Sequence, residues 1–181
     1  MGVYKILAKV LASRLRKVVG KVTGSNQHAF IRGHQILDAA LTVNECIDSY
    51  IKSGNWDILC KLDIEKAYDH IFQIFLLAIL EKMGFPSKRR NWIIFCISTI
   101  RFSILTNSEA SCFFSSSKGL RQGESLSPML LILFIETLSK LVNYAVKEDF
   151  LDGFHISNPH YEGLLISHLF FASFASWTRA I

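Results

Sequence analysis

The sequence is poor in most features that would settle its class at once. Proline occurs three times and cysteine four times in 181 residues, and half of the residues are hydrophobic. That composition excludes a disordered chain and leaves enough apolar surface for one domain with a core. The cysteines, Cys46, Cys60, Cys96 and Cys112, are widely spaced, with no CxxC pair and no Cys/His cluster. Zinc-site spacings are therefore excluded, and the thiols are expected to be reduced, in an intracellular protein, and mostly buried. The longest apolar run, "PMLLILFI", stops at Glu136 and is too short to span a bilayer. Position 6 is Ile rather than Ser or Thr, so Gly2 is a weak myristoylation candidate.

Acid is missing from one end. Residues 1–37 hold seven basic residues (Lys5, Lys9, Arg14, Arg16, Lys17, Lys21 and Arg32) and no Asp or Glu, in a chain of net charge +5. A basic end suits a phosphate backbone or an anionic surface. The same residues suit a helix face that is merely solvated, and an amphipathic, acid-free start also fits a mitochondrial presequence.

Periodicity sets out the elements. "YKILAKVLASRLRKVV" puts Leu7, Leu11, Leu15 and Val18 on one helical face. Gly20 to Gly33 reads as a turn-rich connection, and "ILDAALTVNECIDSYIKSG" as an amphipathic helix ended near Gly54. "WDILCKLD" reads as a buried strand, "FQIFLLAILEKMGF" as an apolar helix stopped by Gly84, and "PSKRRNWIIFCIST" as a helix opened by Pro86. "RFSILTNSEASCFFSSSKG" reads as a hairpin turning at Asn107-Ser108. A long helix follows, with Ser127 as N-cap and Pro128 in its first turn. Two strands, "GFHIS" and "LLISHLFFA", close the chain. The mixture predicts an α+β domain with a mostly antiparallel sheet.

Two stretches carry chemistry. In "KLDIEKAYDH" an apolar strand delivers Asp63 at its end, where a carboxylate can hold a hard cation such as Mg²⁺; it can equally cap the next turn. In "SSKGLRQGESLSPM", Gly119 and Gly123 flank Leu120, Arg121 and Gln122 ahead of a helix start. Such a loop lets backbone and a guanidinium approach a phosphate, and it can also be an ordinary glycine-rich connection.

In this order, "LDIEKAYDH" followed by "GLRQGESLSP" closely resembles the palm of reverse transcriptases of plant non-LTR (LINE-type) retrotransposons. "YKILAKVLASRL", "QHAFIRGHQILDA", "LLAILEKMGF" and "RFSILTNSEASCFFSSSKGLRQG" resemble that family's connecting segments, so the likeness runs from Tyr4 to Ala172. A group II intron maturase is a poorer match. The resemblance implies a polymerase right-hand palm, an antiparallel sheet packed on helices, with part of the fingers and without the thumb. Residues 1–55 would be fingers-like helices, 56–172 palm and 173–181 a divergent tail. It implies RNA-directed DNA synthesis on an RNA template and a DNA primer, with two Mg²⁺ ions about 3.5–4 Å apart. By position, Asp63 matches the first catalytic aspartate and the Ile64 carbonyl a metal contact. Tyr68 matches the aromatic against the sugar. Gly119, Arg121, Gln122 and Gly123 match the nucleotide-positioning loop, and Arg32 and His34 lie where the template is gripped.

Departures follow at the centre. The family ends its last palm strand "SHLLFADD"; this chain reads "SHLFFASF", with Ser173 and Phe174 where two catalytic aspartates belong. Serine is a weak neutral ligand for Mg²⁺, and phenylalanine offers none. Glu124-Ser125 replaces the usual Asp-Pro, which should loosen the loop, and Gly33-His34 replaces the usual Gly-Arg. The expectation is a reverse transcriptase domain, inactive as written, cut from a polyprotein that carries an endonuclease, fingers and thumb elsewhere. Its place would be the nucleus or cytoplasm, with no membrane, and mitochondrial targeting is a minor alternative. A non-catalytic nucleic-acid-binding remnant and a decayed product with no function remain as alternatives.

Overall fold

In a computed structural model, the structure describes residues 2–24, 26–27, 31, 33, 35–54, 59–99, 101–115, 118–158, 161–171 and 174–178. The chain divides into two compact units, one of Met1–Val18 with Lys66–Phe134, the other of Val19–Glu65 with Ile135–Ile181. Helices α1 (Gly2–Val22) and α5 (Leu126–Lys147) each begin in the first and end in the second.

Helix α1 buries Ala8, Leu11, Ala12, Leu15 and Val19. The buried face keeps Leu11 and Leu15 of the one expected and is rotated from it toward the alanines. Val18 is 36% exposed and Leu7 half-buried, because at 100° per residue the buried stripe centres on Leu15, with the two alanines admitting close neighbours.

The first unit holds α3 (Gln73–Lys82), α4 (Ser87–Ser98) and the hairpin β2 (Arg101–Thr106)–β3 (Glu109–Ser115). Helix α3 ends as the sequence predicts. Gly84 takes a φ of 79°, and the Phe85 N–H donates back to the Leu80 carbonyl at 2.9 Å. Pro86 then opens α4. Leu76, Ile79 and Leu80 of α3 and Ile93, Cys96 and Ile97 of α4 are buried. Asn107 and Ser108 both have positive φ, 51° and 68°, the two-residue hairpin turn that matches strand twist.

Helix α5 starts at Leu126, so Ser127 lies within its first turn and is not the N-cap. Its hydroxyl instead donates to the Arg121 carbonyl at 2.5 Å. From Leu126 to Ile135 almost every residue is buried, including Leu130, Ile132 and Leu133. By length and composition alone this helix, longer than its apolar run, could cross a membrane; half of that window is buried inside the fold, as in a core helix.

The second unit holds α2 (Ile36–Ser53). The Gln35 N–H donates to the Asp38 carboxylate at 3.0 Å at its start, and Gly54 at φ 72° closes its end. Strands β1 (Leu59–Asp63), β6 (His168–Phe171) and β7 (Phe174–Thr178) form an antiparallel sheet in the order β1-β7-β6, while β4 (Phe154–Asn158) pairs with β5 (Tyr161–Ile166). Tyr50 of α2 meets Phe154 edge-on at 4.4 Å.

Three expectations change here. "LLISHLFFA" is two strands, because the ladder to β4 stops at Ile166 and the ladder to β7 starts at His168. The strand read as buried is exposed at every described position, so neither face of β1 is covered, and it lies at the edge of its sheet among the described residues. Cys46 and Cys96 are buried but Cys60 and Cys112 are exposed, each on a strand with a single hydrogen-bonded neighbour among the described residues.

Candidate functional site

The second unit carries the strand ends. Asp63 is the last residue of β1, exposed, with Ile64 half-buried directly after it. The register pairs Asp63 with Phe174, and Phe171 with Phe174 across the next ladder. Ala172 and Ser173 lie outside the described residues, as do Arg32 and His34. The residue opposite Asp63 is phenylalanine, which has no lone pair for a cation. Among the described residues no three His, Cys, Asp or Glu side chains gather as a metal site. The family generally uses divalent metal, and one carboxylate with one backbone carbonyl does not fit a two-metal centre.

A polar cluster that sequence reasoning missed gathers at the first residue of β6. His168 is 1% exposed. Its Nε2 is 2.7 Å from Ser139 Oγ and 3.1 Å from the Asn26 amide nitrogen, and its Nδ1 is 2.8 Å from Ser167 Oγ. The Asn26 amide is a donor, so Nε2 accepts and the ring proton sits on Nδ1, toward Ser167. Burial pulls the imidazole pKa down to about 4, which keeps it neutral. The Phe170 N–H donates to the Asn26 carbonyl at 2.9 Å, tying the same segment to β6. Glu136, also buried, accepts the Gly24 N–H at 3.1 Å; its carboxyl is raised above the ordinary value by burial, against the pull of that hydrogen bond and of Lys140. The only sequence signal for the cluster is one histidine inside an apolar run.

The first unit carries the loop. Residues 65–70 turn after β1, with Lys66 at φ 49° and the Asp69 N–H on its carbonyl at 2.8 Å. Two hydrogen bonds stitch the loop to this turn: Leu120 N–H to the Tyr68 carbonyl and Gly119 N–H to the Ile71 carbonyl, both 2.8 Å. Gln73 Nε2 adds a bond to the Gly119 carbonyl at 3.2 Å. Gly119 is needed twice over. Its φ is 86°, and a Cβ there would lie 3.1 Å from the Asp69 carbonyl oxygen. Gly123, at φ 79°, has open space around it, so only its backbone angle demands glycine.

This stitching places Tyr68, half-buried and with its phenol pushed up by burial, next to the loop. Arg121 and Gln122 are exposed and line an open cleft of about 610 Å³ with Asp69, Lys118, Phe102 and Phe114. Lys118 Nζ stands 4.7 Å over the Phe72 ring, and Phe102 and Phe114 stack at 5.9 Å. Such a cleft presents cations and aromatic faces together, the means by which proteins hold phosphates and bases. Glu124 is tied down rather than loose, because it accepts the Tyr4 hydroxyl; burial and then the Glu124 carboxylate raise that phenol. The structure thus joins Tyr68, Gly119, Arg121 and Gln122 within one unit, and sets Asp63, Ile64 and Phe174 together in the other.

Comparison with known proteins follows the same lines. The family model for "Reverse transcriptase (RNA-dependent DNA polymerase)" matches residues 1–169. The chain is 26% identical over 133 residues to an uncharacterised 149 kDa protein of transposon TX1 from Xenopus laevis, covering 74% of this chain and 10% of that protein. It is 25% identical over 146 residues to the retrovirus-related Pol polyprotein of type-1 retrotransposable element R2 from Popillia japonica, covering 76% of this chain and 19% of that one. The chain therefore spans a fifth or less of the length of these relatives. A telomerase from Candida albicans superposes with a TM-score of 0.60 at 14% identity, over 95% of this chain and 30% of its own. That likeness shows the fold, the α+β right-hand polymerase fold.

Proposed function

The chain belongs to the reverse transcriptase family, and on that premise we propose that it is a retrotransposon-derived polymerase segment of the plant LINE type that holds nucleic acid without extending it. The observation that carries this reading is the register that sets Phe174 opposite Asp63. Asp63 keeps the role of the first carboxylate, with the Ile64 carbonyl beside it. The partner carboxylates are replaced by Ser173 and Phe174, and the clamping of developing charge on which phosphoryl transfer depends is lost with them.

What persists is binding. Tyr68 lies where a sugar would rest, and Gln122 between Gly119 and Gly123 positions a nucleotide, with Arg121 on its phosphate. Arg32 and His34, outside the described residues, are assigned to the template by sequence position alone. The partners are an RNA template and a DNA primer, held through backbone phosphates. Residues 1–55 serve as fingers-like helices and 56–172 as palm, while endonuclease, remaining fingers and thumb belong to other regions of a longer polyprotein. The protein works inside the cell, in nucleus or cytoplasm; a fusion of residues 1–40 to a reporter tests the mitochondrial alternative.

The test is primer extension on an RNA template with Mg²⁺ or Mn²⁺, run beside binding of an RNA–DNA duplex. No extension above an Asp63→Ala control is expected, together with duplex affinity that falls steeply with salt. Extension clearly above that control overturns the reading.

A further inference from the structure

A second concave site lies in the first unit, away from the cleft at Gln122 and sharing no lining residue with it. It is a groove of about 310 Å³ between α1 and the first turns of α4. Leu11, Leu15, Phe85 and Ile93 form its buried apolar floor. Trp92, 45% exposed, stands at its wall and meets Phe95 edge-on at 6.5 Å. Arg14, Lys88 and Arg89, all exposed, line it as well.

Charge decides what such a groove takes. Neither α1 nor α4 contains a single Asp or Glu. Arg90 is already paired with Glu81 at 2.6 Å, but Arg14, Lys88 and Arg89 have no carboxylate partner among the described residues. Three unpaired cations around an apolar floor with an accessible indole combine the two elements of single-strand recognition, a basic track for the backbone and an aromatic face for a base. The volume is at the low end of small-ligand pockets, room for about one nucleotide rather than for a helix. A duplex keeps its bases stacked inside and would leave the apolar floor empty, whereas an unpaired base can enter it.

We infer that this groove is a second nucleic-acid site, which seats one unpaired nucleotide of a single strand against Trp92 with its phosphates on Arg14, Lys88 and Arg89. It goes beyond the duplex-holding role proposed above, since it uses different residues and a different form of nucleic acid. RNA and DNA strands share the chemistry it reads.

The experiment is fluorescence anisotropy of the full chain with a labelled short single-stranded RNA, the DNA strand of the same sequence, and an RNA–DNA duplex, each over a range of salt. Trp92→Ala is expected to weaken single-strand binding about tenfold and Trp92→Phe to restore most of it, with duplex affinity unchanged. Lys88→Ala and Arg89→Ala should each flatten the single-strand salt slope by about 0.7. Arg121→Ala, in the cleft at Gln122, should leave the Trp92, Lys88 and Arg89 effects on single strand in place, so that failure of one site is visible apart from failure of the other. Both Lys88 and Arg89 are exposed, so their variants stand as a check if Trp92→Ala folds poorly. Single-strand affinity unmoved by Trp92→Ala and by both cation variants overturns the inference. So does an acidic amphipathic peptide that occupies the groove more tightly than either strand, which would assign it to a protein partner.

Discussion

Lowering the pH from about 7.5 to about 5 should cost the fold about 2 kcal/mol through one side chain, His168. The ring is 1% exposed and burial takes its pKa from 6.5 to about 4. The unfolded chain binds a proton near its ordinary value, and the folded chain refuses it until the lower one. Stability from this group is therefore complete above the unfolded pKa and falls as pH drops through the window between the two. The full difference of about 2.5 units corresponds to about 3 kcal/mol, of which about 2 is already gone at about pH 5. Glu136 acts with the opposite sign. Its raised carboxyl contributes stability at low pH that is lost as pH rises through the folded value, so it masks part of the histidine effect in acid. Comparison with His168→Gln, which cannot titrate, separates the two. The assay is urea unfolding followed by far-UV circular dichroism at both pH values. The parent chain should lose about 2 kcal/mol, a large part of a typical domain's stability, and the variant much less. Equal unfolding midpoints of the parent at the two pH values, or an equal loss in the variant, would refute the reasoning.

Two further outcomes follow from the glycines and the thiols. Gly119→Ala should cost about 2–4 kcal/mol, from the left-handed backbone angle plus the close approach to the Asp69 carbonyl, whereas Gly123→Ala, with the same kind of angle and open space, should cost only about 1–2; equal losses in thermal melts would show that the approach carries no energy. Cys60 and Cys112 should react quickly with Ellman's reagent while Cys46, raised by burial, and Cys96, pushed up to about 11 mainly by burial, react only on unfolding; four fast thiols would contradict the burial.

Much of this was legible in the sequence where a local rule decides the outcome. Gly54 and Gly84 mark helix ends because a left-handed residue terminates a helix wherever it sits. Asn107-Ser108 marks its hairpin because the turn needs two residues that tolerate positive φ. What failed depends on topology. "WDILCKLD" is apolar enough for a central strand, but only the sheet order makes β1 an edge. "LLISHLFFA" is continuous in hydropathy, yet its two halves pair with different strands, and nothing local marks the change at Ser167. In the candidate site, the order of a carboxylate-bearing strand and a later glycine-rich loop was readable as family pattern. The reason for Gly119 was not, because the Asp69 carbonyl that crowds it lies fifty residues earlier in the chain. His168 was visible as a letter, but its partners come from Asn26, Ser139 and Ser167, three separate places that only the fold gathers.

The middle strand of the three-stranded sheet has a consequence for which substitutions the fold tolerates. β7 is held on both sides, by β1 and by β6, through backbone amides and carbonyls. A ladder of that kind is made by the main chain, and a strand position favours phenylalanine over aspartate, so Phe174 costs the sheet nothing. Acids at positions 173 and 174 would repel one another and Asp63, so neutral residues there add no strain of that kind. Chaperones and proteases survey exposed apolar surface and loose backbone, not the charge of a strand end. A chain of this design can therefore change the charge at a strand end in silence, with nothing in its folding to report the change.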